Sequence, residues 1–338
     1  MRLEINRLEG LRNDLLLRLE RSEIDCARLS VAHRERLMAL PGMPRHRAAT
    51  PQEDQAVAGC KISLQHHLQG LGIVDPSGQL RQRAIAIGNR NLGTNHGHLA
   101  WQRTETPRLF HVLEDPCDYP AYSCLTAWRN GALSIEDLRF DLAGDRVGDR
   151  VGDRVYDARD GRDLSDEIEW ATFGQCVLRR GSMVRIEEIA DQFYDFRHVL
   201  AFDHHRQEGE QIRLDLYRGY PRNFRENTRV AWQAHGVPRS RYFHNAVGFS
   251  AGALFVLQRE GTVEEIADGL KMAGAEDGLI LDNGGSVACW VWWANSYAGG
   301  IVSPTIDYRP LGTSAIAFLL RGPVRVDLPG GSVSYSVS

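Results

Sequence analysis

The sequence has no long uninterrupted apolar run and no Cys-x-x-Cys pair. The first absence argues against a membrane-spanning helix, because such a helix needs about 20 consecutive apolar residues. The second excludes the common zinc-knuckle and thiol-redox motifs. The six cysteines, scattered along the chain, are Cys26, Cys60, Cys117, Cys124, Cys176 and Cys289. Such a distribution is typical of reduced, buried side chains.

An excess of positive charge is also lacking, because the formal net charge is −4. Although arginine dominates the cations, this balance argues against nucleic acid as a partner. The first residues are charged and lack an apolar segment, so we recognise no secretory signal. With 338 residues, 43% of them hydrophobic, the sequence can build one or two domains with a substantial core. We expect a cytoplasmic protein with no membrane partner.

Residues 1–45 are predicted to form a helical segment. Leu8, Leu11, Leu15 and Leu19 recur three or four residues apart, with Glu and Arg on the other faces. Such an amphipathic helix either packs on the body of its own protein or forms a homodimer with a second copy. Both interpretations stay open at this point.

From residue 54 the pattern changes to short strands and turns. The loop 88–98 is rich in Asn, Gly and His, so Asn89 is a candidate for binding a polar ligand, although turn geometry explains these residues equally well. Gly-Asp-Arg-Val occurs three times over 144–155 and is expected to be an exposed loop or hairpin extension without chemistry. The Arg-rich stretch 211–240 fits either solvated ion pairs or a phosphate-binding wall. No metal site is predicted, since adjacent histidines such as those at 66–67 diverge.

The stretch 262–286 combines a helix, a turn, a strand and a glycine loop. Thr262 can cap a helix that ends at Gly274, and an apolar strand then leads to Asp282. The next residues are Asn283, Gly284, Gly285 and Ser286. Bare glycine N–H groups can approach a ligand closely, and an acid on a rigid strand end is typical of a functional site. The alternative for Asp282 is a turn carboxylate that accepts the glycine amides.

Strands flank this stretch on both sides. A β-hairpin with Arg241 and His244 precedes the helix, and a Trp-rich strand, Arg309-Pro310 and a last strand at 315–320 follow the glycine loop. We therefore expect an α+β fold: a mixed or antiparallel β-sheet core with flanking helices, plus the N-terminal amphipathic helix.

The order of these pieces resembles the uncovering-enzyme-like phosphodiester glycosidase domain family over about 54–322, which leaves a C-terminal tail at 323–338. The residues that carry the resemblance are Gly274-Ala275, Asp277, Leu279, Leu281-Asp282, Gly284-Gly285-Ser286 and Arg309-Pro310. Two positions depart from the family pattern, because Asn283 replaces a glycine and His244 replaces an arginine. The early Asn-Gly-Gly-Phe-Phe loop of the family has no clean counterpart.

The resemblance implies a hydrolase that cleaves a glycosidic phosphodiester, with a small-molecule or biosynthetic sugar phosphate as its substrate. In this hypothesis Asp282 is the key carboxylate, Arg309 holds the phosphate and His244 carries a proton near neutral pH. Substrate contacts are expected from Asn283, Gly284, Gly285, Ser286, Asn89 and Arg241. No cofactor is expected, with a divalent cation such as Ca²⁺ left open.

Three alternatives remain. Arg309 fits a buried ion pair as well as a phosphate clamp. The departures from the family pattern also fit a non-catalytic carbohydrate- or nucleotide-binding module, because fold does not fix function. A phosphodiesterase that cuts the P–O bond is the third.

Overall fold

The computed structural model describes residues 2–8, 12–31, 62–77, 79–89, 100–103, 108–110, 121–141, 152–185, 242–283, 287, 289–292, 299–301, 311–312 and 314–321. These residues form twenty strands and two short α-helices, and the protein is predominantly β. The predicted α+β class with flanking helices is therefore wrong. Neither described helix is long and apolar enough to cross a membrane.

The strands form three antiparallel sheets and one two-stranded ribbon. Sheet I contains, side by side, β1 (Arg2–Leu8), β2 (Arg12–Glu20), β15 (Ala253–Gly261), β14 (Tyr242–Phe249), β16 (Asp277–Asn283), β12 (Gln175–Arg179) and β13 (Ser182–Met183). Sheet II contains β10 (Arg154–Asp157), β9 (Leu133–Asp141), β8 (Tyr122–Trp128), β11 (Ile168–Phe173), β6 (Ala100–Gln102) and β7 (Arg108–Phe110). Sheet III contains β18 (Gly299–Ile301), β17 (Cys289–Trp292), β5 (Ala84–Asn89), β20 (Ser314–Leu320) and β3 (Ile24–Val31). The ribbon pairs β19 (Leu311–Gly312) with β4 (Ile62–Ser63).

The main core lies where sheets I and III face each other. Apolar side chains of β2, β14, β15 and β16 from sheet I and of β5 and β20 from sheet III form one buried cluster. Helix α1 (Leu64–Gly70) packs on β20, β3 and β5, and helix α2 (Val263–Met272) packs on β15, β12 and β14. Every residue of β20 is buried, as expected for a strand covered on both faces.

The prediction of an N-terminal helical segment is also wrong, because the described part of residues 1–45 forms the strands β1, β2 and β3. Leu15, Leu17 and Leu19 are all fully buried, and this alternation is the period of a strand. The spacing of Leu15 and Leu19 fits a helix equally well, and only Leu17 distinguishes the two. β2 pairs with β15 and β3 pairs with β20, so these strands lie within the sheets of the body. Within residues 2–8 and 12–31 there is no amphipathic helix through which the second interpretation, a homodimer, could form.

The local signals around α2 are confirmed. The Glu265 N–H donates to Thr262 Oγ1 at 3.2 Å, and the Thr262 N–H donates to Glu265 Oε2 at 2.8 Å, which completes the capping box. Gly274 has a φ of 100°, which is the left-handed conformation expected after a helix. The hairpin β14–β15 and the strands β16 and β20 also form where the sequence pattern indicates them.

Two smaller expectations have mixed outcomes. The third Gly-Asp-Arg-Val copy starts β10 and is packed, since Val155 is buried and the Asp153 carbonyl accepts the Trp101 indole N–H at 2.8 Å. An exposed loop is therefore wrong for this copy, whereas the alternative of a hairpin extension fits it, because β10 pairs antiparallel with β9. The first two copies lie outside the described residues. The four described cysteines are free thiols, and burial raises the pKa of Cys176 to about 11.

Candidate functional site

A β-bulge in β16 determines where Asp282 lies. Ala246 of β14 pairs with Ile280, but the preceding residue of β14, Asn245, pairs with Asp282. Leu281 is therefore the extra residue that has no partner in this register. Because residues directly opposite each other share a face of the sheet, the bulge puts Asp282 on the same face as Asn245.

Asn245 also pairs directly with Gln258 of β15. The Gln258 Nε2 group donates to Asn245 Oδ1 at 2.5 Å. Gln258, Asn245 and Asp282 thus form one row across three neighbouring strands, which we call the buried polar row. Their exposed fractions are 0%, 0% and 2%. Polar groups buried this completely destabilise a fold unless they form hydrogen bonds. The row therefore requires a specific set of hydrogen-bond partners.

The buried polar row faces sheet III. The Asn245 Nδ2 group donates to the carbonyl of Gly88 in β5 at 3.1 Å. The next residue of β5 is Asn89, which pairs with the buried Ser314 of β20. The backbone of the predicted residue Asn89 therefore lies next to the Gly88 carbonyl that Asn245 contacts, at the same edge of the core as Asp282.

His244 does not lie with Asp282. Successive strand residues point to opposite faces, so His244 lies on the face of sheet I opposite Asn245. This is the face covered by α2, and the His244 Nε2 group donates to the Gly261 carbonyl at 3.1 Å. His244 is 2% exposed, and burial lowers its pKa to about 4, against the opposing effect of the hydrogen bond to Gly261. The imidazole is therefore neutral near pH 7, and the expectation of a proton carrier titrating near neutral pH is not met.

The remaining predicted residues are located only in part. Asn283 is the last residue of β16 and pairs with His244. Gly284, Gly285, Ser286, Arg309 and Arg241 lie outside the described residues. Their contributions to the site stay predictions.

Sequence reasoning missed two members of the buried polar row, Asn245 and Gln258. A signal was present, because each amide occupies a position where strand alternation calls for an apolar side chain. In β14 the inward positions after Asn245 are Val247 and Phe249, and both belong to the main core. A buried amide in an otherwise apolar strand face indicates a hydrogen-bonding role.

The chemistry available in the buried polar row is that of one carboxyl group, from Asp282, and two carboxamides, from Asn245 and Gln258. A carboxylate can stabilise a developing positive charge or accept a proton, whereas carboxamides donate and accept hydrogen bonds without transferring protons. Within the part of the chain that the structure describes, no group of three or more His, Cys, Asp or Glu side chains is placed to hold a metal ion. Of the adjacent histidines of α1, His66 is exposed and His67 is buried against Ser30, with Nδ1 2.8 Å from Oγ.

No protein-family model matches the chain, and no curated protein matches it. Among solved structures, a hypothetical protein from Synechocystis is similar at 12% identity with a TM-score of 0.39, over 94% of this chain and 61% of that protein. The chain thus spans less than two thirds of the Synechocystis protein. The zebrafish N-acetylglucosamine-1-phosphodiester alpha-N-acetylglucosaminidase catalytic domain, auto-inhibited by its pro-peptide, is similar at 12% identity with a TM-score of 0.38, over 94% and 81% of the two chains. Likeness this remote carries no argument about the function of this protein.

Proposed function

We propose that the protein is a hydrolase that cleaves the sugar–phosphate bond of a small glycosidic phosphodiester, with Asp282 as its key carboxylate. The observation that carries the proposal is the bulge at Leu281, which places Asp282 in the buried polar row. An apolar residue would fill the same position without the desolvation penalty of a carboxyl group. A buried acid at such a position is a candidate for function rather than for stability.

Hydrolysis of this bond has a defined atom balance. Water adds its oxygen to the anomeric carbon, the bond from that carbon to the phosphate oxygen breaks, and the phosphate monoester leaves with the electron pair. The Asp282 carboxylate stabilises the positive charge that develops on the sugar ring, or it accepts the proton of the attacking water. A phosphate monoester is a good leaving anion, so the reaction does not require a protonated His244.

The carboxamides of Asn245 and Gln258 support this role by position. Gln258 donates to Asn245, and Asn245 donates to the Gly88 carbonyl, so both amide planes are fixed by hydrogen bonds. Rigid neighbours hold a reacting carboxylate in a narrow range of orientations, which is what positioning requires. Arg309 as the phosphate-holding group and the segment 284–286 as a sugar contact are proposed from the sequence resemblance alone.

A non-catalytic carbohydrate- or nucleotide-binding module is the second candidate. One observation favours it: the described polar row contains a single titratable group, and His244, which is neutral, lies on the other face. Carboxamides and one carboxylate suit the recognition of sugar hydroxyls as well as they suit hydrolysis.

The experiment that separates these candidates is a turnover assay on the full chain. The protein is incubated with a panel of sugar 1-phosphodiesters and nucleotide sugars, and released sugar is measured. We expect release from at least one phosphodiester. Binding without release from any member of the panel would support the binding module and overturn the hydrolase.

The same reaction in ¹⁸O-labelled water identifies the bond that breaks. Label in the released sugar is the expected result, because water then attacks the anomeric carbon. Label in the phosphate product would show attack at phosphorus and would make the protein a phosphodiesterase of the P–O type.

A further inference from the structure

A cavity of about 370 Å³ lies at the opposite end of β16 from Asp282. Asp277, the first residue of β16, lines it, and Asp277 lies five positions before Asp282 along the strand, which is about 16 Å. The other walls come from β9 of sheet II, the turn between β12 and β13 and the turn between β14 and β15. Arg21, between β2 and β3, and Arg159, after β10, complete the lining. This cavity is therefore separate from the buried polar row.

Four arginines line the cavity, namely Arg21, Arg159, Arg179 and Arg180. Two of them are engaged with acids. Arg179 donates to Asp137 Oδ1 at 2.7 Å and to Ser123 Oγ at 3.1 Å. Arg159 lies 3.7 Å from Glu136 Oε2.

The other two arginines, Arg21 and Arg180, line the cavity together with the acids Glu276 and Asp277. Within the described ranges, no ion pair joins the side chain of Arg21 or Arg180 to an acid. The Arg21 guanidinium lies over the ring of Phe249, 5.6 Å from its centroid, and this contact orients it without cancelling its charge. Of the acids in the lining, Asp277 accepts the backbone N–H of Arg180 at 2.9 Å, and the side chain of Glu276 is exposed.

The backbone of Arg180 supplies an independent observation. Arg179 pairs with Ser182, so the turn between β12 and β13 has two central residues, Arg180 and Gly181. Their φ angles are 49° and 73°, which is the pattern of a type I′ turn. Asn, Asp or Gly normally occupies the first of these positions, because the left-handed conformation is unfavourable for a longer side chain.

The turn is nevertheless held firmly in this conformation. The Arg180 N–H donates to Asp277 Oδ1 at 2.9 Å, and the Gly181 N–H donates to the Glu276 carbonyl at 2.7 Å. A strained residue that its surroundings hold in place is a sign of function. The strained residue here is Arg180. Its side chain lines the cavity and forms no ion pair with any described acid.

We infer that this cavity binds the dianionic phosphate group of a small molecule, with Arg21 and Arg180 as the principal donors. Neither guanidinium is engaged in an ion pair with a described acid, and their planar N–H forks match the oxygens of a phosphate group. Arg179 is held at the same wall by Asp137 and Ser123. The site stands independently of hydrolysis at Asp282.

The test is a calorimetric titration of the full chain with inorganic phosphate at pH 7.5, with ionic strength held constant by NaCl. We expect one saturable site in the wild type. Arg180→Asn should weaken binding roughly tenfold to 100-fold, since a charge-assisted hydrogen bond is lost. Arg21→Gln should weaken it by a similar factor.

The asparagine variant also separates function from structure. Asparagine tolerates the left-handed turn better than arginine does, so Arg180→Asn should raise the melting temperature while it weakens phosphate binding. A raised melting temperature with unchanged binding would overturn the inference. Absence of saturable phosphate binding in the wild type would overturn it as well.

Two controls test specificity. Arg154→Gln removes the same charge from β10, where Arg154 pairs with Asp163 and does not line the cavity, and it should leave binding unchanged. An equal loss in this variant would show general electrostatic attraction and contradict the site.

Acetate, a monoanion, should bind more weakly than phosphate, and equal affinity would contradict the assignment to a dianion.

Discussion

Asn245 and Asp282 lie directly opposite each other on the core-facing side of sheet I, because Leu281 is bulged out of the register between β14 and β16. Without the bulge, alternation from the buried Ile280 would turn Asp282 towards α2. One extra residue therefore decides on which side of the sheet the acid lies. The proposed activity depends on this placement.

The hydrogen bonds of Asn245 should be important for stability. In Asn245→Leu, the Gly88 carbonyl and the Gln258 amide each lose a buried partner, so we expect the free energy of unfolding to fall by about 2–5 kcal/mol. The double variant Asn245→Leu/Gln258→Leu removes both amides and should lose less than the sum of the two single variants. Urea unfolding of all four proteins measures this, and strict additivity would argue against the coupled row.

His244 should make stability depend on pH in the acidic range. Its folded pKa is about 4, whereas an unfolded histidine titrates near the ordinary value of 6.5. Between these values the unfolded state binds more protons than the folded state. The free energy of unfolding should therefore fall by on the order of 3 kcal/mol as the pH drops from about 6.5 to 4, and it should be constant above pH 6.5.

The measurement for His244 is the slope of unfolding free energy against pH. His244→Gln should flatten the slope between pH 4 and 6.5, whatever its effect on absolute stability. His66→Gln, which removes an exposed histidine of α1, serves as the matched control and should keep the slope. An unchanged slope in His244→Gln would contradict a buried, neutral imidazole.

Leu17 tests the strand assignment of the N-terminal segment. Leu17 is fully buried in the main core, whereas Leu16 is only partly buried on the other face. Leu17→Ala should therefore lower the free energy of unfolding by about 2–5 kcal/mol, and Leu16→Ala by clearly less. On the helix predicted from Leu8, Leu11, Leu15 and Leu19, Leu17 would lie off the apolar face, and a nearly neutral Leu17→Ala would favour that helix.

Local sequence signals predicted the fold well where one short segment contains the whole signal. The capping box of Thr262 and Glu265, the left-handed Gly274 and the apolar strand β20 are of this kind. The N-terminal strands were missed because Leu15 and Leu19 satisfy both periods. The strand is stabilised by the pairing of β2 with β15, which lies more than 200 residues later in the chain.

The site was predictable in part. Asp282 could be named as a strand-end acid, and Asn89 lies at the same edge of the core. Its partners Asn245 and Gln258 depend on the register between strands that are distant in sequence, and the side of the sheet that Asp282 occupies depends on a bulge. Neither register nor bulge is encoded in a local pattern, because both result from packing of the two sheets. The same limit explains His244, which local reasoning placed with Asp282 although it lies on the opposite face.

The most direct test of the account is the rate of sugar release by Asp282→Asn on the phosphodiester that the wild type hydrolyses. The substitution preserves the shape of the side chain and removes its charge and its basicity. The account predicts a fall in kcat of roughly 10²–10⁴-fold, with the melting temperature and substrate binding largely retained. Asp141→Asn, at the exposed end of β9, should keep wild-type activity. Wild-type turnover by Asp282→Asn would contradict the role assigned to this carboxylate.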